Sequence, residues 1–399
     1  KLNVPVNGVQ ITTPFEKLEA EGGKYEEIKN ATKAGVDIKT DVTNDSDTEA
    51  TGVSVKSTVY NKEGDVVSTQ TDDITVAAGK TETISQSVDV ANPKLWSVDS
   101  PNLYWVRTEI IQNGKVVDRT DSRFGIRYIA TNPNSGFYLN GVHTKLNGVC
   151  EHSDLGSLGM ETYQAAVDRR IRTLKKYGVN AIRTSHNPVS PEFIEACDRL
   201  GMLVFEEAFD QWLYSKNSDD YHNYFNKAAD GKTVVFDKAG NDNTNNDTSY
   251  IEVKREDLQS NAERDIKAMV DRDKNAPCIF AWSTGNEIYD ARYKHGENTL
   301  DMLTGWIKEI DTTSPVAACP PTWDNYWANN AQQEKHLAKA EMSGFNYATE
   351  QYDGAHSRYP NMVIFGSETV SAYYYRGVYF LEGEGSGDRC NEYPTYWTF

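Results

Sequence analysis

The sequence predicts two folds in series: an immunoglobulin-like β-sandwich over residues 1–129, then a (β/α)8-type TIM barrel over residues 130–399 that stops after its seventh strand. Three observations carry this. From about residue 8 to 128, apolar and polar residues alternate with period two, turns come at close intervals, and no helical stripe appears. From about residue 132, strand-like apolar runs alternate with amphipathic stretches of helix length, which means parallel pairing through right-handed crossovers. The units repeat without a glycine-rich phosphate loop, which favours a barrel over a doubly wound sheet and argues against a nucleotide cofactor.

In the first region, residues 36–42 (Val-Asp-Ile-Lys-Thr-Asp-Val), 53–60 and 84–90 read as strands. A turn at residues 61–64 leads into Val66 and Val67, and Asn113-Gly114 marks a hairpin, because both turn positions need positive φ. No nucleophile, base or metal cluster stands out here, so this region is expected to be structural. In the second region, strands are expected at residues 144–150, 180–184, 202–205, 278–282, 316–319, 342–345 and 362–365. Helices are expected at 161–177, where Ala165, Val167, Ile171 and Leu174 form one stripe, and at 191–200, 255–272 and 300–310. Gly178 and Gly201 stop the first two. The polar stretch 217–249 reads as a surface loop.

Composition removes several function classes. With net charge −18, the chain lacks the concentrated Lys and Arg that nucleic-acid binding needs. No apolar run is long enough to cross a bilayer. The five cysteines form no CxxC, so free thiols are expected rather than a disulfide framework, zinc or a redox motif. Seven His with no HxH or HExxH make a metal-dependent hydrolase a poor reading. Neither cofactor nor metal is expected, and self-association is left open.

Barrel enzymes place their chemistry at the C-terminal ends of the strands. Those ends carry Glu151, His152 and Asp154; Arg183, His186 and Asn187; Glu206, Glu207 and Asp210 with Trp212 beyond; Trp282 through Asn286 to Glu287; Trp323; Asn346 and Tyr347; and Ser367 and Glu368. Such a rim suits a polyol, and 8 Trp with 23 Tyr add aromatic faces that stack on sugars as well as fill cores. Cleaving a glycosidic bond takes two carboxyl groups, one to protonate the leaving oxygen and one to attack the anomeric carbon or activate water. Glu287 and Glu368 follow strands four and seven, roughly opposite each other in a closed ring. A single Glu after a strand is commonly a solvated rim residue; the pair within this rim points to chemistry. A carbohydrate-binding module or inactive scaffold is the competing class, with no reason to place both carboxylates.

At these residues the chain resembles glycoside hydrolase family 2, the β-galactosidases, β-glucuronidases and β-mannosidases. The resemblance runs through Leu95-Trp96-Ser97, Pro101-Asn102-Leu103-Tyr104, Arg123-Phe124-Gly125-Ile126-Arg127, Phe137-Tyr138-Leu139-Asn140-Gly141, Gly148 to His152, Asn180 to Pro188, and Arg272 to Pro277 leading into Trp282 to Glu287. It implies that Glu287 is the general acid/base and Glu368 the nucleophile. It also implies that Asn286 touches the sugar 2-hydroxyl and that Arg183 braces the nucleophile. Two departures are visible. Ala276 stands where the family often has His, and the stretch after strand three, where many members carry a Glu-x-His that helps hold magnesium, reads Glu206-Glu207-Ala208-Phe209-Asp210-Gln211-Trp212.

The resemblance makes the substrate a β-linked hexoside. The string His152-Ser153-Asp154-Leu155-Gly156-Ser157-Leu158-Gly159 leans towards β-galactosidases, with β-glucuronidase as the alternative. His152 and Asp154 would read sugar hydroxyls, and Trp282 would partly bury Glu287. Retention requires the two carboxyls to lie about 5–5.5 Å apart. After Glu368 the glycine-rich stretch 382–387 leaves no room for a crossover helix, so strand eight is expected to lie beyond Phe399.

Overall fold

The computed structural model describes residues 1–15, 19–20, 24–28, 31–212, 261–321 and 331–369. Two four-stranded antiparallel sheets form the N-terminal sandwich. One joins Leu2–Asn3, Lys33–Asn44, Val9–Thr12 and Thr81–Ala91; the other joins Lys115–Phe124, Tyr104–Gln112, Ala50–Tyr60 and Val66–Val76. The alternation expected over 36–42 is the inner face of Lys33–Asn44, which buries Val36, Ile38, Thr40 and Val42. Ser57 donates to Gln86 Oε1 at 2.6 Å, and Gln86 donates to Val55 O, so the polar pair buried between the sheets is satisfied. The hairpin turns at Asn113 (φ 50°) and Gly114 (φ 76°), both in the left-handed region. Val66–Val76 is far longer than its two leading valines suggest, because its other residues are mostly polar and face solvent.

A short three-stranded sheet, Ile129–Asn132, Gly136–Leu139 and Val142–His143, leads into the second region. There seven parallel strands follow one another in chain order: β1 (Gly148–His152), β2 (Ala181–Ser185), β3 (Leu203–Glu207), β4 (Ile279–Asn286), β5 (Val316–Cys319), β6 (Met342–Asn346) and β7 (Ile364–Glu368). Helices pack outside: α1 (Gln164–Lys176), α2 (Pro191–Leu200), α3 (Asn261–Asp273), α4 (Lys294–Lys308), α5 (Ala331–Lys339) and α6 (Tyr352–Arg358). Sequence reading misses the last two. Gln333, Glu334 and His336 of α5 are buried polar residues, so its apolar stripe is weak. The expected loop 217–249 and residues 255–260 of the helix expected at 255–272 lie outside the described residues.

Among the described residues β1 and β7 are the sheet edges, yet the sheet curls until they touch: Cys150 of β1 meets Ser367 O of β7 at 3.3 Å. Phe205, Phe280 and Phe365 from β3, β4 and β7 meet edge to face or tilted inside the curl, and Phe137 packs on Phe280 from the preceding hairpin. Several strands end later than expected. β1 starts at Gly148 rather than 144, because Asn180 takes Asn147 N–H and donates to Lys145 O, holding that approach as a loop. β4 and β7 run on into Asn286 and Glu368. Cys197, Cys278 and Cys319 are buried free thiols as expected; Cys150 is an exposed free thiol on the edge, and Cys390 lies outside the described residues.

The sandwich is locked to the barrel by specific bonds. Arg123 donates twice to Asp198 Oδ2 (3.0 and 2.8 Å), while Asp198 Oδ1 accepts Cys278 N–H at 3.0 Å and its carbonyl accepts the Trp96 indole. Gly201, which ends α2 at φ 75°, lets Val98 O approach where a Cβ would sit 2.3 Å away.

Candidate active site

The site is built at the C-terminal ends of the parallel strands, and period two explains its inner wall. In β3, Phe205 and Glu207 face the inside of the curl, whereas Glu206 faces outward to Arg272 at 3.1 Å. In β2, Arg183 faces inward and is only 4% exposed. Its guanidinium bridges three strands. Nε and Nη2 donate to Glu207 Oε2 (3.1 and 2.7 Å), Nη2 donates to Asn286 Oδ1 (2.9 Å), and Nη1 donates to Glu368 Oε1 (2.6 Å).

The two candidate carboxylates enter this network from opposite sides. Glu368, at the end of β7, takes Arg183 on one oxygen and Tyr347 Oη on the other at 2.5 Å. Glu287 directly follows β4, and Asn346 of β6 donates to its Oε1 (3.4 Å) and to Asn286 Oδ1 (3.3 Å). Ser367 holds Asn346 in turn, donating to its Oδ1 at 2.6 Å. Asn286 Nδ2 donates to Asp210 at 3.0 Å. Glu287 (φ 45°) and Tyr347 (φ 53°) both adopt left-handed backbone just after their strands. Such conformations cost about 1 kcal/mol or more in non-glycine residues and persist where the surroundings impose them, commonly at functional sites.

Glu207 is fully buried, and both of its oxygens are engaged: Oε2 also accepts Ser283 Oγ at 2.6 Å, and Oε1 meets His186 Nδ1 at 2.5 Å. Burial pushes its carboxyl up; the Arg183 charge, then His186 and Ser283, outweigh that and hold it below the ordinary carboxylate range. Glu206 is the opposite case. Burial and the neighbouring Asp273 push it well up, against the pull of Arg272. With Glu206 facing the helix layer and Glu207 committed to Arg183 and His186, neither carboxylate is open to a magnesium ion. Among the described residues no group of three His, Cys, Asp or Glu could hold a metal ion.

The remaining expected residues spread outward. His186 lies 3.7 Å from Glu368 Oε1, and the His152 ring stands edge-on to it at 5.4 Å. Asn187 is exposed and bonds Ser153 Oγ (3.2 Å), and exposed Asp154 accepts its own loop's Gly156 N–H (2.6 Å). Neither is joined to the carboxylate network by the bonds seen. Trp323 lies outside the described residues. Two aromatics differ from expectation. Trp282 does not shield Glu287: its indole donates to Asp311, in the loop before β5 at the other end of the strands. Trp212 is fully buried, donating to Thr284 O at 2.8 Å, so it offers no face to a sugar. Glu207, Asn346 and Ser283 were placed at the strand ends by the sequence but given no individual role. The available signal was the period of two from Phe205 to Glu207, which turns that carboxylate inward.

A cavity of about 910 Å³ opens between the edge strands, lined by Cys150, Arg183, His186, Tyr347 and Glu368 above the Phe205, Phe280 and Phe365 floor. Glu287 does not line it, because this opening follows β1 and β7, the edges among the described residues, rather than the strand-end mouth.

The profile described as glycosyl hydrolases family 2, TIM barrel domain matches residues 131–352, and that of glycosyl hydrolases family 2 matches residues 24–127. The β-galactosidase BoGH2A of Bacteroides ovatus is 30% identical over 92% of this chain and 42% of its own length. A Formosa agariphila protein provisionally named a β-glucuronidase is 35% identical over 63% of this chain and 21% of its own. A solved glycosyl hydrolase family 2 member from Bacteroides cellulosilyticus superposes with a TM-score of 0.76 at 30% identity, covering 93% of this chain and 41% of that one. The chain therefore spans less than half the length of these relatives.

Proposed function

Because the chain belongs to glycosyl hydrolases family 2, we propose that it cleaves terminal β-glycosidic bonds with retention, through Glu287 and Glu368. Glu368 attacks the anomeric carbon while Glu287 gives its proton to the departing oxygen. Glu287 then takes a proton from water, which attacks the same carbon and releases Glu368. The observation that carries this reading is the network tying the ends of β2, β4, β6 and β7 into one unit around both carboxylates.

In this reading Arg183 and Tyr347 hold Glu368 in its attacking orientation, and Asn286, itself held by Arg183 and Asp210, presents its amide to the sugar. His186 and His152 line the sugar side, with Asp154, Asn187 and Trp323 further out. The division of labour is a sandwich of immunoglobulin-like type over 1–129 and a catalytic barrel over 130–399.

The favoured sugar is galactose, supported by the loop 152–159 and by the name of the Bacteroides ovatus relative. The Formosa relative favours a glucuronide as the second reading. A panel of nitrophenyl β-galactoside, glucuronide, mannoside and glucoside, assayed with the full-length protein, tests both. Fastest turnover of the galactoside is expected; a glucuronide preference reverses the order, and no turnover of any supports a binding scaffold.

A further inference from the structure

Glu207 makes more contacts to the site than any role assigned above uses. Its carboxylate is wholly buried, and its backbone N–H is fixed by Thr184 Oγ1 at 2.9 Å. Arg183 and Ser283 supply three donors to Oε2, and His186 Nδ1 faces Oε1. Arg183 and His186 are also the two groups that converge on Glu368 Oε1, at 2.6 and 3.7 Å.

We propose that Glu207 is a positioning residue that aims Arg183 at the nucleophile and locks His186 in the Nδ1–H tautomer, so that Nε2 offers a lone pair to a substrate hydroxyl beside Glu368. The proposal rests on the glycosidase reading only for the identity of that hydroxyl. The tautomer follows from donor counting. An ionised carboxylate has no hydrogen to give, so at 2.5 Å the proton between Glu207 and His186 belongs to Nδ1. The lowered acidity range of Glu207 agrees with its being ionised. In the neutral ring Nε2 is then an acceptor, and it faces another acceptor, Glu368 Oε1, without bonding it. A hydroxyl hydrogen placed there satisfies the lone pair. Without Glu207 the ring loses its tautomer preference and Arg183 loses one of its two carboxylates.

The isosteric Glu207→Gln gives a directional test. Arg183 and Ser283 demand the amide oxygen, so the amide NH2 turns to His186 and donates to Nδ1, which moves the ring proton to Nε2. Long-range 1H–15N spectra of the chain carrying 15N-histidine report the tautomer, with His186→Gln identifying the signal. The expected result is Nδ1–H in the native chain, Nε2–H in Glu207→Gln, and a fall of roughly 10- to 100-fold in kcat/KM on an activated glycoside, the scale of one lost hydrogen bond to a charged group. Finding Nε2–H in the native chain overturns the proposal even if the variant does not fold. So does a Glu207→Gln protein that keeps Nδ1–H, whatever its activity. A tautomer switch in a full-length protein that turns over no glycoside upholds the positioning role and refutes the glycosidase reading instead.

Discussion

Replacing Arg183 by Met removes the cation shared by Glu207 and Glu368, and the loss of stability should depend on pH in a particular direction. In the native chain Glu207 is held below its ordinary range, so its contribution is present at neutral pH and fades as pH falls through that lowered value. Without Arg183, burial acts with less opposition, since only His186 and Ser283 remain as donors. The carboxyl then moves above its ordinary range, and the variant loses stability as pH rises past about 4.3, the free Glu value. Breaking one partner of a buried pair costs about 3–5 kcal/mol. Protonating Glu207 caps its share: from the free value, neutralising a carboxylate costs about 3.7 kcal/mol at pH 7 and about 1 kcal/mol at pH 5. The variant should therefore be less stable by about 3–4 kcal/mol at pH 7 and by about 1–2 kcal/mol at pH 5. Urea unfolding followed by tryptophan fluorescence at the two pH values measures this. An equal loss at both, or a loss at pH 7 under about 1 kcal/mol, refutes the view that Arg183 balances a buried charge.

Three further outcomes are expected. Glu287→Ala should lose most turnover on glycosides with poor leaving groups and keep more on nitrophenyl glycosides; equal loss on both contradicts an acid role. An activated 2-deoxy-2-fluoro glycoside should leave a mass label on the peptide carrying Glu368, and a label elsewhere or none contradicts the nucleophile assignment. Asp198→Ala leaves Arg123 and the buried Cys278 N–H without their shared carboxylate, so unfolding should cost about 1–3 kcal/mol less. A change under about 1 kcal/mol in the urea transition shows that this contact does not fasten the sandwich to the barrel.

Periodicity was enough to separate the two regions, because burial of one sheet face and of a strand–helix layer writes different rhythms into the chain. It brought out Val36 to Val42, the Asn113-Gly114 turn, and strands ending near Glu287 and Glu368, since each follows from local chemistry. It missed α5, whose buried face carries Gln333, Glu334 and His336, and most of Val66–Val76, whose side chains are polar. Nor did it reveal that Trp282 and Trp212 are turned away from the site, because an aromatic near a strand end does not state which way it faces. Only the curl of the sheet brings Arg183 onto Glu207, Asn286 and Glu368, positions 24, 103 and 185 residues away. That convergence decides which carboxylate stays ionised and which is pushed up, as Glu207 and its neighbour Glu206 show from adjacent positions on opposite faces of one strand. Charge interactions depend on distance and burial, and both are set by which strand ends meet in space, a property no local stretch of this sequence contains.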